Sequence, residues 1–277
     1  MLCCLFRFEK KFMKKILITG LPVLFSCYLH AQQTSATVVY ERTIHMQMTI
    51  ASDQGGKEMS QRRVDRFVLS FANNKSLWKP ADDDMQSAET ESSGNGMHIK
   101  IIAPGLDDIN YTDFSSGRVV EQKEMFDQKF IVTDSIHKLS WKLTGETQTL
   151  LGHLCQKAVS QKPGKRMAMN MDNGKMERKE IADTVSITAW FAPDIPIAAG
   201  PEVAGQLPGL ILLLDMANGK TVYKAISLDD KVNIAEIKEP TKGKKVSPEQ
   251  FKTEVAKMMD EMQKNNRGGG HIVRDDN

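Results

Sequence analysis

The chain is short of the residue types that would announce a chemistry. It holds four cysteines in 277 residues, and Cys3, Cys4 and Cys27 all fall near its start. A body left with Cys155 alone cannot close an internal disulfide, which excludes a small domain stapled by cystines. His45, His98, His137, His153 and His271 are scattered. None has the His-x-x-x-His or His-Glu-x-x-His spacing of a zinc enzyme. Asp53, Asp194 and Asp215 have no partner at a spacing that would make a catalytic carboxylate pair. The apolar run Ile16 to Leu29 is too short for a stable membrane span. An excess of one charge is missing too, with 37 basic against 35 acidic residues.

What is present begins with a leader. Met13-Lys14-Lys15, the apolar run and Leu29-His30-Ala31 have the three parts of a secretory signal peptide cleaved after Ala31. Residues 1–12 read as an upstream extension. An alternative reading makes Leu24-Phe25-Ser26-Cys27 a lipoprotein box, with Cys27 lipid-anchored. The leader carries Arg7, Lys10, Lys11, Lys14 and Lys15 against Glu9 alone. The body that follows is therefore slightly acidic, which excludes nucleic acid as a partner.

The body alternates. Val38, Tyr40, Ile44, Met46, Met48 and Ile50 share one face of a strand spanning Thr37 to Ile50, interrupted by Arg42. Val64 to Phe71 resumes the pattern, and Pro80 to Gly96 reads as a polar loop. Short strands follow near 97–103, 109–114, 118–121 and 126–132, then at Thr147–Leu151 and Leu154–Ser160. Gln161 to Lys179 is a hydrophilic hairpin excursion turning at Asp172-Asn173-Gly174. Val185 to Phe191 is an alternating strand and Leu210 to Leu214 an unbroken apolar one, and Ala217-Asn218-Gly219-Lys220 is a hairpin turn before Thr221 to Leu228. Ser247-Pro248-Glu249-Gln250 is a capping box that opens an amphipathic helix to Lys264. The reading is mainly β: a curved antiparallel sheet, a half-barrel-like meander, with a C-terminal amphipathic helix. Its divisions are 1–31 (extension and signal peptide), 32–239 (β domain) and 240–277 (linker, helix and tail).

The densest stretch runs from Trp190 to Leu214. It holds Gly200-Pro201 and then Gln206-Leu207-Pro208-Gly209-Leu210-Ile211. Leu207-Pro208-Gly209-Leu210 reads as a type II turn with Gly209 at positive φ. With Trp141 to Glu146 and Leu151 to Ala158 upstream, this stretch resembles the GLPGLI family of Bacteroidetes cell-envelope proteins. Gln206 replaces the first glycine of the naming motif, and its exchange for glycine is expected to be nearly silent. The resemblance implies an exported protein of the periplasm or outer membrane and no particular reaction. The structural motif it marks comprises Cys155, Trp190, Gly200, Pro201, Leu207, Pro208, Gly209, Leu210 and Ile211.

Three constellations bear on function. Met167, Met169 and Met171 present soft thioethers at alternate positions, a pattern suited to Cu(I); the structural reading is a strand edge that tolerates methionine. Cys155 has His153 two residues away on one strand face, and the choice lies between a nucleophile and a buried small apolar side chain. The Met-rich helix is expected to clasp the open face of the sheet, the alternative being a surface that docks a partner. No catalytic residue and no cofactor is assigned. The expectation is a non-enzymatic envelope protein whose sheet binds an apolar small molecule, a lipid or an outer-membrane or other envelope protein. The alternative is a periplasmic copper-handling protein.

Overall fold

The computed structural model describes residues 34–50, 57–82, 89–92, 105–125, 127–172 and 175–268, all in one compact unit, Gln33–Asn277. The signal peptide, the Cys27 alternative, Asp53 and the strand expected at 97–103 lie outside the described residues. The strands are β1 (Ala36–Ile50), β2 (Lys57–Ala72), β3 (Lys75–Pro80), β4 (Glu89–Ser92), β5 (Ile109–Asp113), β6 (Arg118–Met125) and β7 (Gln128–Ser135). They continue as β8 (Lys142–Leu150), β9 (His153–Asp172), β10 (Lys175–Ala192), β11 (Leu210–Met216), β12 (Thr221–Asp229) and β13 (Lys244–Val246). One helix, α1 (Pro248–Gly268), follows.

All thirteen strands form one sheet in the order β13-β7-β6-β5-β3-β2-β1-β12-β11-β10-β9-β8, with β4 attached to β2 off that path. Neighbours are antiparallel except β13 and β7. β1 lies in the middle, joining an early meander to a later one that returns through β12. The ends of the path do not pair, so the sheet is not closed into a barrel.

It must nonetheless roll. β7 and β8 stand ten strand spacings apart, about 48 Å in a flat sheet. Ser135 to Lys142 is seven residue steps, about 25 Å at full stretch. Only a strongly curved sheet brings its ends within that reach. The aromatic contacts agree. Trp78 of β3 meets Tyr223 of β12 with ring centroids 5.9 Å apart, although three strand spacings, about 14 Å, separate their strands.

Val38, Tyr40, Phe67, Leu69, Phe71, Ala189, Phe191, Leu212 and Leu214 line the interior. The helix does not fill it. Instead the connection between β10 and β11 folds inward, burying Ile195, Ile197, Ala199, Val203 and Leu207 in the same cluster. This segment carries its own hydrogen bonds in: Leu210 N donates to Ile195 O and Ile211 N to Ala199 O. The buried hydroxyl of Tyr40 donates to Ile211 O at 2.6 Å. No described residue of α1 is fully buried. The helix sits beside β7 and β13 at one end of the sheet, where Phe251 meets Phe130 at 5.4 Å. A loop with five apolar residues and internally satisfied backbone groups competes successfully with a helix bearing one narrow stripe.

Several local expectations change in instructive ways. Asn73 and Asn74, both at positive φ, turn β2 directly into β3, and β4 forms inside the expected polar loop. The hydrophilic excursion is the outer half of a long hairpin, β9 with β10; its tip, Asn173-Gly174, lies outside the described residues. The expected linker contributes β13. The capping box is present, with Gln250 N donating to Ser247 Oγ and Ser247 N to Gln250 Oε1. The hairpin turn after β11 is present too, with Ala217, Asn218 and Gly219 all at positive φ.

The type II turn is not formed. Gly209 is not among the residues at positive φ, and its N–H donates to Leu207 O at 2.9 Å, a three-residue turn about Pro208. Its glycine requirement is steric: a Cβ would stand 2.3 Å from the Ala192 carbonyl oxygen. Gly200 is similar, since its Cβ would lie 2.7 Å from Ile211 Cβ. We therefore expect Gly209→Ala to cost about 3 kcal/mol or more in chemical denaturation. Gly219→Ala, at φ +84° but with open space around it, should cost only about 1–2 kcal/mol. Equal losses would mean that conformation, not close approach, governs the motif.

Candidate functional site

The register between strands builds one concave site. Trp78 lies opposite Asn110 and Asn110 opposite Glu121, a row across β3, β5 and β6. The adjacent row is Ser76, Thr112, Val119 and Asp134. Because side chains at paired positions share a face, the two rows form the floor of a cleft. Residues Gly200 to Gln206 of the inward loop and the chain leaving β7 at Ile136 and His137 form its roof. The cleft has a volume of about 210 Å³. A second cavity of about 310 Å³ lies beside it, lined by Arg42, Asp108, Thr221 and Tyr223 among others. Glu202 lines both.

The roof is held from two sides. Gln206 Oε1 accepts from Leu139 N at 2.9 Å and from Trp141 Nε1 at 3.0 Å. That one side chain fastens the crossing segment between β7 and β8 to the inward loop, so it is a clamp and its exchange for glycine is not silent. Glu202 holds a left-handed φ of +57°, which costs a non-glycine residue about 1 kcal/mol or more. It is tied down by Tyr223, whose hydroxyl donates to Glu202 Oε1 at 2.6 Å. Burial, and then the Glu202 carboxylate, push the Tyr223 phenol far above its ordinary range, so it stays a donor.

Below Tyr223, Arg42 explains the break in the β1 pattern. It stays on the buried face because Asp65 lies directly opposite on β2. Arg42 Nη2 reaches Asp65 Oδ2 at 2.9 Å, and Arg63 Nε reaches Asp65 Oδ1 at 2.7 Å. The Arg42 guanidinium also stacks 4.7 Å from the Phe67 ring centre. A buried charge arranged this way is retained by its partners, and removing Asp65 would take one carboxylate from two arginines at once.

The cleft is rich in acceptors. Lys123 bridges Glu121 at 3.1 Å and Asp108 at 3.7 Å. Burial raises the Asp108 carboxyl above the ordinary range against the pull of Lys123, and Glu121 and Glu202 push the same way. Asp134 accepts from His137 at 3.0 Å and from Ser135 N. One polar atom has nothing. The Asn110 Oδ1 oxygen is buried on the cleft floor with no hydrogen-bond partner.

The residues singled out from sequence are mostly framework. Trp190 is half-buried, with Lys157 Nζ 5.7 Å from its ring centre. Pro201, Leu207, Leu210 and Ile211 are buried, and Pro208 is exposed. Cys155 is fully buried, and burial pushes its thiol up to about 11. Its Sγ donates to His153 O at 3.6 Å, while the His153 ring pairs with Asp194 at 2.7 Å. The backbone of β9 sets Met167, Met169 and Met171 at alternate positions opposite Glu180, Arg178 and Met176; their side chains lie outside what is described. Sequence reading missed Asn110, Glu121 and Glu202. Only Arg42, breaking an apolar face, left a visible sign.

Fold and cleft together define a mainly β protein with a rolled, self-filled sheet and a polar cleft between its β3–β5–β6 strands and the inward loop. Comparison with known proteins adds a description without an activity. The family model of a protein of unknown function (Porph_ging) matches residues 141–213, from the start of β8 into β11. No curated protein matches. Two solved structures of PNGF-II, in space groups C2 and P21, are similar at 16% and 17% identity, each with a TM-score of 0.44. They cover 80% and 79% of this chain and 33% and 34% of their own, so the chain spans about a third of their length.

Two outcomes test this description. Gln206→Gly should lower stability by about 1–3 kcal/mol, because Leu139 N–H and the Trp141 indole lose their acceptor, and should alter the near-ultraviolet signal of tryptophan. A silent substitution would remove the clamp. Cys155 should react with a disulfide reagent at pH 8 only as the protein unfolds, since a buried protonated thiol is a poor nucleophile. Rapid labelling of the folded chain would refute this.

Proposed function

We propose that the protein is an exported, non-enzymatic cell-envelope protein that works by binding, and that its binding site is the cleft between the Asn110 strand and the Gly200–Gln206 roof. The observation that carries the reading is the unpartnered Asn110 Oδ1. A buried acceptor left without a donor costs about 1–3 kcal/mol, and native folds leave few such groups without a reason. A ligand that donates a hydrogen bond there supplies one. Left-handed Glu202, held over the same cleft by Tyr223, is a second departure from low-energy structure at the same place.

The resemblance to the GLPGLI family and the signal-peptide pattern support export. Neither names a ligand. A lipid lying in the curved sheet is the less favoured form of the reading, because Ile195 to Leu207 occupy that space. An enzyme is disfavoured by Cys155, whose protonated thiol faces a backbone carbonyl. A second reading, copper handling, draws on the register that sets Met176 opposite Met171, one step beyond Met167 and Met169 on the hairpin; soft thioethers suit Cu(I).

Native mass spectrometry of the chain purified from its own envelope fraction tests both. A bound small molecule, lost in Asn110→Leu but kept in a Met167, Met169 and Met171 triple leucine variant, is the expected result. Cu(I) bound stoichiometrically and lost only in the triple variant would overturn the cleft reading.

A further inference from the structure

We infer that the cleft takes a protonated amine, resting on the reading of the cleft as a binding site. The negative charge of the lining comes from other residues, and the Asn110 oxygen that located the site adds one more acceptor. Glu121, Asp134 and Glu202 all line the cavity, and His137 is the one titratable nitrogen among the lining residues. The neighbouring Lys123 is spent on two carboxylates, Glu121 and Asp108. Lys252, at the start of α1, acts on Asp134 from outside the cleft. Arg42, which lines the second cavity, pairs with Asp65 and hydrogen-bonds Tyr223.

The acceptors outnumber the donors accordingly. A carboxylate offers several lone-pair positions, and Glu202 receives Tyr223 on Oε1 alone among the bonds described. Asn110 Oδ1 receives none. A ligand matched to such a lining brings N–H donors and a positive charge, and an ammonium group is three donors on one cation. Charge-assisted hydrogen bonds of this kind are the strong ones. Trp78 and Leu69 on the floor supply an apolar wall for the carbon stem of an amine. At about 210 Å³ the cavity is smaller than the usual drug-sized pocket, which fits one short alkylamine or a single lysine side chain. These are two sources of one chemistry, free amine or protein-borne.

Calorimetric titration of the full purified chain distinguishes them. The probes are 1,4-diaminobutane, N-acetyl-lysine methylamide and the neutral 1,4-butanediol. Both amines should bind, the diol at least about tenfold more weakly, and added salt should weaken the amines but not the diol. The tighter amine identifies the source. Glu202→Gln, at an exposed position, should weaken amine binding about ten- to a hundredfold with an unchanged melting temperature. Asn110→Leu should do the same, and Glu202→Gln keeps the test valid if that variant does not fold. A diol that binds as well as the diamine, or an unchanged affinity in Glu202→Gln, overturns the inference. If no amine binds but native mass spectrometry still finds a neutral ligand lost in Asn110→Leu, the cation is wrong and the binding site stands. If neither is found, both fall.

Discussion

The chain passes from β7 to β8 in seven residue steps, although those strands stand ten spacings apart in the sheet. No flat or gently twisted arrangement satisfies that geometry, so the sheet rolls. Rolling creates an interior, and an interior must be filled to the density of a folded core. The connection between β10 and β11 fills it, and Gln206 on that connection accepts hydrogen bonds from the crossing segment at Leu139 and Trp141. The short crossing and the inward loop are thus one device. The crossing brings the ends of the sheet together, and the loop occupies what they enclose.

The cleft follows from the same device. The inward loop is apolar where it meets the centre of the sheet, at Ile195, Ile197 and Leu207. Around Glu202 it passes above the polar row of Asn110 and Glu121 without closing upon it. Packing and polarity therefore divide along one loop. One part is core, and another is the roof of a site that faces carboxylates. Tyr223 stands at that boundary, bonded to Arg42 of the Arg42–Asp65 pair, and its hydroxyl holds Glu202 in a conformation it would not adopt alone.

Glycine has two separate uses along this path. At Gly219 it admits a left-handed turn in open space. At Gly209 and Gly200 it removes a Cβ from a place already taken by the Ala192 carbonyl and by Ile211. A sequence shows the letter but not which use applies, because the second depends on a strand that packs back from elsewhere in the chain.

Much of the architecture was legible in local pattern. Period-two alternation marks β1 and the strands around Val64 and Val185, an unbroken apolar run marks β11, Asn-Gly marks the turn before β12, and Ser247 with Gln250 marks the start of the helix. All of these are set by residues within a few positions of one another. The cleft was not legible. Asn110, Glu121, Asp134, Glu202 and Tyr223 come from β5, β6, β7, the inward loop and β12, and register alone makes neighbours of them. Asn110 looks like any polar strand residue until its oxygen is found buried with no donor. The burial of the loop in place of the helix was likewise decided in three dimensions. The sheet had to roll before there was a space to fill, and the segment that filled it was the one whose backbone groups could bond to the strand beside it.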